Sequence, residues 1–145
     1  MQSESAPREI VNVGMVVSDV EKTARKLEKL IGIGPFKIFE PEFRDVTFRG
    51  KPATLKIRGA IGRAGPIEIH LIQVLSGENI FQEFVRRKGY GVHHLAIRTD
   101  SLERTRTDME AKGFKVIQSG KRPGAEWLYF DTEEQMDIVF EYVKT

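Results

Sequence analysis

The chain contains two stretches in which polar and apolar residues follow the same order. In residues 12–21 and 94–103 a polar residue, Asn12 or His94, precedes an apolar run that is typical of a strand. A helix-capping residue comes six positions after the polar residue, and a glutamate follows three positions later, which is the spacing of a capping box. Both stretches predict a strand followed by a helix, and their similarity indicates an internal duplication. We therefore expect Asn12 and His94 at matching positions of the two copies.

Further elements extend the duplication. The predicted helices begin at the capping residues Ser18 and Asp100 and end at Gly32 and Gly113, and an amphipathic helix over 76–88 joins the copies. Strands are predicted in the first copy at 10–17, 36–39, 53–58 and 67–74, and in the second at 92–99, 114–118, 126–131 and 137–143. A polar loop through Arg44 and Gly50 and a glycine-rich connection over 59–66 link strands of the first copy. Each copy is thus predicted to be a βαβββ module.

The last strands of the two copies also correspond. His70 follows Leu55 of the preceding strand, and Glu141 follows Leu128 of the preceding strand in the second copy. The connection between the two strands is longer in the first copy, and with that difference taken into account His70 and Glu141 stand at matching positions. The duplication therefore predicts two pairs of equivalent polar residues, Asn12 with His94 and His70 with Glu141.

The length of 145 residues is that of one domain. We predict a single domain over 9–145, with the first module at about 9–75, the linking helix at about 76–89 and the second module at about 90–145. The polar residues 1–8 are predicted to be a disordered tail.

Composition excludes several classes of protein. The 23 basic and 21 acidic residues leave a formal charge of +2, which does not indicate a nucleic-acid partner. The absence of cysteine excludes a disulfide framework, a thiolate zinc site and a cysteine nucleophile. The first eight residues contain no apolar segment of a secretory signal, and no run approaches the roughly 20 apolar residues of a membrane span. We therefore expect a cytoplasmic protein without a membrane partner.

The order of elements and short local motifs resemble those of a known superfamily. The motifs are Val-Gly-Met-Val-Val at 13–17, Gly-Val-His-His-Leu-Ala at 91–96 and the end of the last strand at 138–143. They are similar to the vicinal oxygen chelate superfamily, which includes glyoxalase I, methylmalonyl-CoA epimerase, extradiol dioxygenases and bleomycin-resistance proteins. Leu-Ile-Gln at 71–73 is most similar to the epimerase branch. The resemblance implies an α+β fold in which two βαβββ modules form a curved mixed sheet or open barrel with helices outside, and a homodimer.

The resemblance also implies a divalent metal held by the first and last strands of each module. By register these positions are Asn12, His70, His94 and Glu141, although the family usually has His at the first and Glu or Gln at the second. Two imidazoles and a carboxylate suit Zn, Fe(II), Mn, Co or Ni, so the predicted metal ligands are His70, His94 and Glu141. Asn12 offers a weaker amide oxygen and is predicted to orient a water molecule or a substrate oxygen.

Other residues are candidates for catalysis and substrate binding. Glu68 shares a strand face with His70 and is the nearest carboxylate to propose as a general base, although a solvated rim residue is the alternative. Arg98 is predicted to bind an anionic substrate group, or alternatively to pair with Glu141. Trp127 and Tyr129 lie on one strand face and are predicted to bind the apolar part of a substrate, with core packing as the alternative.

These features favour a metal-dependent enzyme of the glyoxalase or epimerase type. It would act on a small carbonyl or acyl substrate by proton abstraction, with the enolate stabilised by the metal. A second hypothesis places iron(II) on the same ligands in a dioxygenase. A third is a metal-free protein that binds a small molecule, as in the antibiotic-resistance branch, and the absence of His at position 12 favours it.

Overall fold

The computed structural model describes residues 8–145, so residues 1–7, most of the predicted tail, lie outside the described residues. The elements of the first half are β1 Ile10–Val16, α1 Val20–Lys26 continued by a π-helical turn Leu27–Ile31, β2 Lys37–Phe39, β3 Arg44–Phe48, β4 Lys51–Pro52, β5 Lys56–Ala64 and β6 Ile67–Ser76. Those that follow are α2 Ile80–Lys88, β7 Gly91–Arg98, α3 Leu102–Ala111, β8 Val116–Arg122, β9 Ala125–Phe130, α4 Glu133–Met136 and β10 Val139–Lys144.

The strands form one mixed sheet in the order β2-β5-β6-β1-β7-β10-β9-β8-β3-β4. At its centre the first strands of the two halves, β1 and β7, pair antiparallel, and each also pairs in parallel with the last strand of its own half, β6 or β10. The sheet curls into a half-barrel, which confirms the predicted α+β fold. Within residues 8–145, no helix is long and apolar enough to cross a membrane.

The register of the central strands confirms the predicted equivalence of polar positions. His70 of β6 lies opposite the position two residues after Asn12 in β1. Glu141 of β10 lies opposite the position two residues after His94 in β7. Because alternate residues of a strand share a face, these four residues lie on the same face of the sheet.

Two segments of the first half differ from the predictions. The predicted polar loop contains β3 and β4, and β3 pairs with β8, so this hairpin extends the half of the sheet formed by the second copy. The predicted glycine-rich connection is largely the end of β5. Its glycines serve close packing, because a Cβ on Gly62 would lie 2.8 Å from the ring of Phe36. The glycines of this segment therefore admit an aromatic ring beside a strand and do not form the predicted connection.

The helix caps lie one residue later than predicted. Asp19, and not Ser18, accepts a hydrogen bond from the backbone N–H of Lys22 at the start of α1. Ser101, and not Asp100, caps α3 in the same way. In both cases a neighbouring polar residue takes the extended conformation that directs its side-chain oxygen at the first turn.

Helices cover both faces of the sheet, in part against expectation. Val20 and Ala24 of α1 pack with Val17 and Phe36 on the convex side, and α3 packs there through Met109. The linking helix α2 instead buries phenylalanines in the large cluster that contains the concave-face residues Trp127 and Tyr129. The prediction that the helices lie outside therefore holds for α1 and α3, whereas α2 forms part of the surroundings of the concave face.

Candidate active site

The four equivalent polar residues line one cavity in the concave face. This inner cavity has a volume of about 70 Å³, and Asn12, His70, His94 and Glu141 all contribute to its wall. The apolar remainder of the wall comes from both halves of the chain, namely Phe39, Pro41, Phe43, Leu55, Ile57, Gly59, Ala60, Ile61, Leu71, Ile72, Phe81, Trp127, Tyr129 and Val143, together with the cationic Arg122. The cavity thus joins the duplicated polar positions to an aromatic surface.

His94 and Glu141 form a buried pair at the cavity. Nε2 of His94 lies 3.3 Å from Oε1 of Glu141, and the two side chains are only 1% and 8% exposed. A buried carboxylate is costly unless it is paired or hydrogen-bonded, and the parallel register of β7 and β10 supplies the imidazole as its partner.

The other ring nitrogen of His94 contacts a second histidine. Nδ1 of His94 lies 2.9 Å from Nδ1 of His93, whose ring packs edge to face on Phe81 and Phe84 of α2. Burial, together with the neighbouring His94, holds the pKa of His93 well below its usual value, so His93 is neutral. Of the two Nδ1 atoms, one must donate and the other accept, so the tautomers of His93 and His94 are linked.

Asn12 has an unsatisfied oxygen. Its side chain is 5% exposed, and its Oδ1 has no hydrogen-bond partner among residues 8–145. A buried acceptor without a partner costs about 1–3 kcal/mol. The chemistry of this atom therefore suits a hydrogen-bond donor or a cation inside the cavity.

His70 is bonded to Glu68 at the outer side of the cavity. Nε2 of His70 lies 2.9 Å from Oε1 of Glu68, whose other oxygen lies 3.7 Å from Arg63. Burial lowers the pKa of His70, and the bond to Glu68 opposes that shift. Within the described part of the chain, no three His, Asp or Glu side chains come together closely enough to hold one metal ion. The predicted ligands thus share a cavity, while His70 is engaged by a carboxylate outside the set.

Trp127 and Tyr129 line the inner cavity as aromatic neighbours. Their ring centroids lie 5.4 Å apart, and the ring of Tyr129 lies 5.0 Å from that of His94. Burial and the nearby charge of Glu141 raise the pKa of Tyr129 well above its usual value, so its hydroxyl stays protonated. Both residues also belong to the main core cluster, so they combine core packing with a position on the cavity wall.

A wider depression of about 610 Å³ adjoins the inner cavity, and we call it the outer cavity. Glu68 and Arg98 line it, as do Glu9 and Arg63. Arg98 is 55% exposed and bonds to Glu9 at 2.8 Å. The predicted alternative, an ion pair between Arg98 and Glu141, is therefore not formed.

Arg122 is a cavity residue that the sequence analysis missed. It lines both the inner and the outer cavity, as do Asn12 and His70. The predicted strand ended at residue 118, whereas β8 continues to Arg122. The alternation of side chains along a strand could have revealed this position of Arg122. It places Arg122 on the same strand face as Gly120, which lies opposite Trp127.

Comparisons with known proteins agree with this architecture. A family model described as the Glyoxalase/Bleomycin resistance protein/Dioxygenase superfamily matches residues 12–130. No curated protein sequence matches the chain.

Solved structures with the same fold include two methylmalonyl-CoA epimerases. One, in complex with methylmalonyl-CoA and NH4+, has a TM-score of 0.72 at 18% identity over 97% of this chain and 96% of that one. The enzyme from Mycobacterium tuberculosis has a TM-score of 0.70 at 16% identity over 93% and 86%. A hypothetical protein from Bacillus halodurans has a TM-score of 0.73 at 17% identity over 97% and 96%. At these identities the likeness shows the fold alone.

Proposed function

Because the chain belongs to the glyoxalase/bleomycin resistance protein/dioxygenase superfamily, we propose that it is an enzyme of the glyoxalase or epimerase type. It removes a proton next to the carbonyl group of a small carbonyl or acyl substrate. The observation that carries this proposal is the convergence of the buried His94–Glu141 pair and the unsatisfied Oδ1 of Asn12 on one cavity. The structural similarity to methylmalonyl-CoA epimerases is consistent with it.

The donor atoms at the cavity suit a divalent transition metal. Imidazole nitrogens and a carboxylate are ligands that Zn, Fe(II), Mn, Co and Ni accept, and the Oδ1 of Asn12 is an acceptor in need of a partner. We propose His94 and Glu141 as the central ligands and His70 as the third, with the bond from His70 to Glu68 exchanged for the metal. When bound, the metal would stabilise negative charge that develops on the substrate's carbonyl oxygen.

The remaining roles follow from position. Glu68 is the proposed general base because its Oε1 lies beside His70, a residue of the inner cavity, and becomes free to accept a proton once His70 binds the metal. Its side chain is 36% exposed, so the proton can pass on to solvent. The Nδ2–H of Asn12 orients the substrate's carbonyl oxygen. Trp127 and Tyr129 contact the apolar part of the substrate, and Arg98 attracts anionic substrates to the outer cavity.

A metal-free binding protein is the second candidate. The bond between His70 and Glu68 favours it, because this bond satisfies His70 without a metal. In that case the cavity would sequester a small molecule, and Glu141 would serve only as the partner of His94.

Metal content and proton exchange distinguish these candidates. Protein purified without a chelating tag is expected to contain about one equivalent of a transition metal, which is lost in His94→Ala and Glu141→Ala but kept in the control Glu126→Ala, an exposed carboxylate of β9. The metal-loaded protein is expected to exchange the α-proton of a small acyl thioester or α-hydroxy ketone for deuterium, as followed by NMR. Binding of these compounds without metal and without exchange would replace the enzyme with the binding protein, and a content of iron with oxygen consumption would indicate the dioxygenase.

A further inference from the structure

We infer that Arg122 recognises a carboxylate group of the substrate at the boundary between the inner and outer cavities. This inference deepens the proposed function and rests on it for the identity of the cavity as a substrate site. It goes beyond the roles given to Arg98 and the pair His94–Glu141, because it assigns the substrate an anionic group at a defined place.

Arg122 lies at the boundary between the two cavities. Five residues line both cavities and so form the boundary between them, namely Asn12, Ile61, His70, Arg122 and Val143. Arg122 and His70 are the cationic or ionisable side chains of this set, and His70 is bonded to Glu68. A substrate that reaches the inner cavity from the outer one passes the guanidinium of Arg122.

The arginines of the outer cavity differ in whether they have a carboxylate partner. Three arginines line this cavity, and two of them have carboxylate partners, since Arg98 bonds to Glu9 and Arg63 lies 3.7 Å from Glu68. Across residues 8–145, Arg122 has neither an ion pair nor a hydrogen bond from its guanidinium, although its side chain is only partly exposed. A guanidinium that has lost part of its hydration gains most from an anionic partner, and its planar fork matches the two oxygens of a carboxylate.

The local packing of β8 directs this side chain to the boundary. Gly120 carries no Cβ, and a Cβ there would lie 2.6 Å from Cη2 of Trp127, so the indole ring lies against the strand. Arg122 follows two residues later on the same face, immediately before the turn at Pro123 and Gly124. The positive charge of Arg122 opposes the rise in the pKa of Tyr129, which agrees with its proximity to the aromatic wall.

The size of the two cavities defines the ligand further. The inner cavity, about 70 Å³, admits only a small group, whereas the outer one has about 610 Å³. A carboxylate bound to Arg122 would leave a short apolar or carbonyl-bearing group beside Trp127 and Tyr129. The substrate class is therefore a small acyl or carbonyl compound with a carboxylate a few bonds away from its reacting carbon.

The single tryptophan provides a direct measurement, because Trp127 is the only one in the chain and lines the inner cavity. Malonate is titrated into protein that has been treated with EDTA, and binding is followed by tryptophan fluorescence. We expect Arg122→Gln to weaken malonate binding at least tenfold and Arg122→Lys to weaken it less. The matched control Arg106→Gln removes an exposed arginine of α3 and is expected to bind as the parent does.

Malonamide and inorganic phosphate test whether Arg122 selects a carboxylate. Neutral malonamide is expected not to compete with malonate, and inorganic phosphate is expected to bind more weakly than malonate. Equal malonate affinity in the parent and in Arg122→Gln, or tighter binding of phosphate than of malonate, would overturn the carboxylate assignment. Because binding is measured without metal or turnover, a protein that binds malonate through Arg122 but exchanges no α-proton would refute the proposed enzyme activity and leave this inference intact.

Discussion

The imidazole ring of His94 lies directly over Gly14 of the neighbouring strand. The two residues are opposite each other in the antiparallel pair of β1 and β7. A Cβ on Gly14 would lie 2.0 Å from Cε1 and 2.2 Å from Nε2 of His94, closer than any two unbonded carbon or nitrogen atoms can approach. The absence of a side chain at Gly14 is therefore what allows the ring of His94 to reach Glu141.

This relationship predicts the effect of Gly14→Ala. The added methyl group must displace the ring of His94, because β1 is held between β6 and β7 by pairing on both sides. We expect a loss of stability of about 1–3 kcal/mol, typical of an overpacked core. We also expect the metal content to fall to that of His94→Ala, because the displaced Nε2 no longer lies beside Glu141. Urea denaturation and elemental analysis measure the two effects.

Gly59→Ala is the matched control. Gly59 lines the same cavity, but its Cβ would make only ordinary van der Waals contacts, 3.4 Å to Cζ of Phe39 and 3.5 Å to the backbone oxygen of Leu71. This variant is expected to retain its metal and most of its stability. If Gly14→Ala kept its metal as Gly59→Ala does, the position of the His94 ring over Gly14 would not matter for the site.

The sequence predicted this central part of the fold because its signals are local. The alternation of residues along β1 and β7 assigns Asn12 and His94 to one face, and the similarity of the two copies assigns His70 and Glu141 to the last strands. The shared cavity follows from the pairing of β1 with β7. This pairing is expected when each module begins with the same strand.

The features that were missed depend on contacts between distant residues. The pairing of β3 with β8 joins residues that are far apart in the chain and has no periodic signal in its short, polar strands. The bond between His70 and Glu68 is a choice of rotamer, which a strand pattern does not specify. Arg122 lies at the end of a strand, where boundaries are least defined by sequence, so its place at the cavity was not predicted.

The stability of the fold is expected to depend on Glu28 at acidic pH. The carboxylate of Glu28 accepts hydrogen bonds from the backbone N–H of Phe36 and from Arg25, and these bonds hold the pKa of Glu28 below its usual value of 4.5. The stabilisation is complete above that value and is lost as the pH falls through the lowered pKa of the folded state. The difference in unfolding free energy between the parent and Glu28→Gln should therefore be largest near neutral pH and shrink towards pH 3. A difference that stays constant over this range, measured by urea denaturation, would contradict it.

Gln118 is expected to anchor the linking helix. Its Oε1 accepts a hydrogen bond of 2.9 Å from the backbone N–H of Ile80 at the start of α2, and its side chain is fully buried. Gln118→Leu leaves that N–H without a partner, which costs about 1–3 kcal/mol, but it also removes Nε2 of Gln118, which is buried without a partner among residues 8–145. The net loss of unfolding free energy is therefore expected at the lower end of this range. Gln135→Leu, at an exposed position of α4, is the control and is expected to change the free energy little. Equal effects of the two substitutions on the urea midpoint would show that the bond to Ile80 does not stabilise the protein.

Glu68→Gln tests the assignment of the general base. The substitution keeps the shape of the side chain and a hydrogen-bonding partner for His70, but an amide cannot accept a proton from carbon. If Glu68 is the base, kcat for α-proton exchange is expected to fall about 10²–10⁴-fold, as is usual for the loss of a general base, with KM changed little. Arg63→Gln is the matched control, because it removes the neighbour of Glu68 at 3.7 Å without removing the carboxylate, and it is expected to retain most of kcat. A kcat for Glu68→Gln equal to that of Arg63→Gln would assign proton abstraction to another group, and retained metal content in both variants would show that the loss is not one of metal binding.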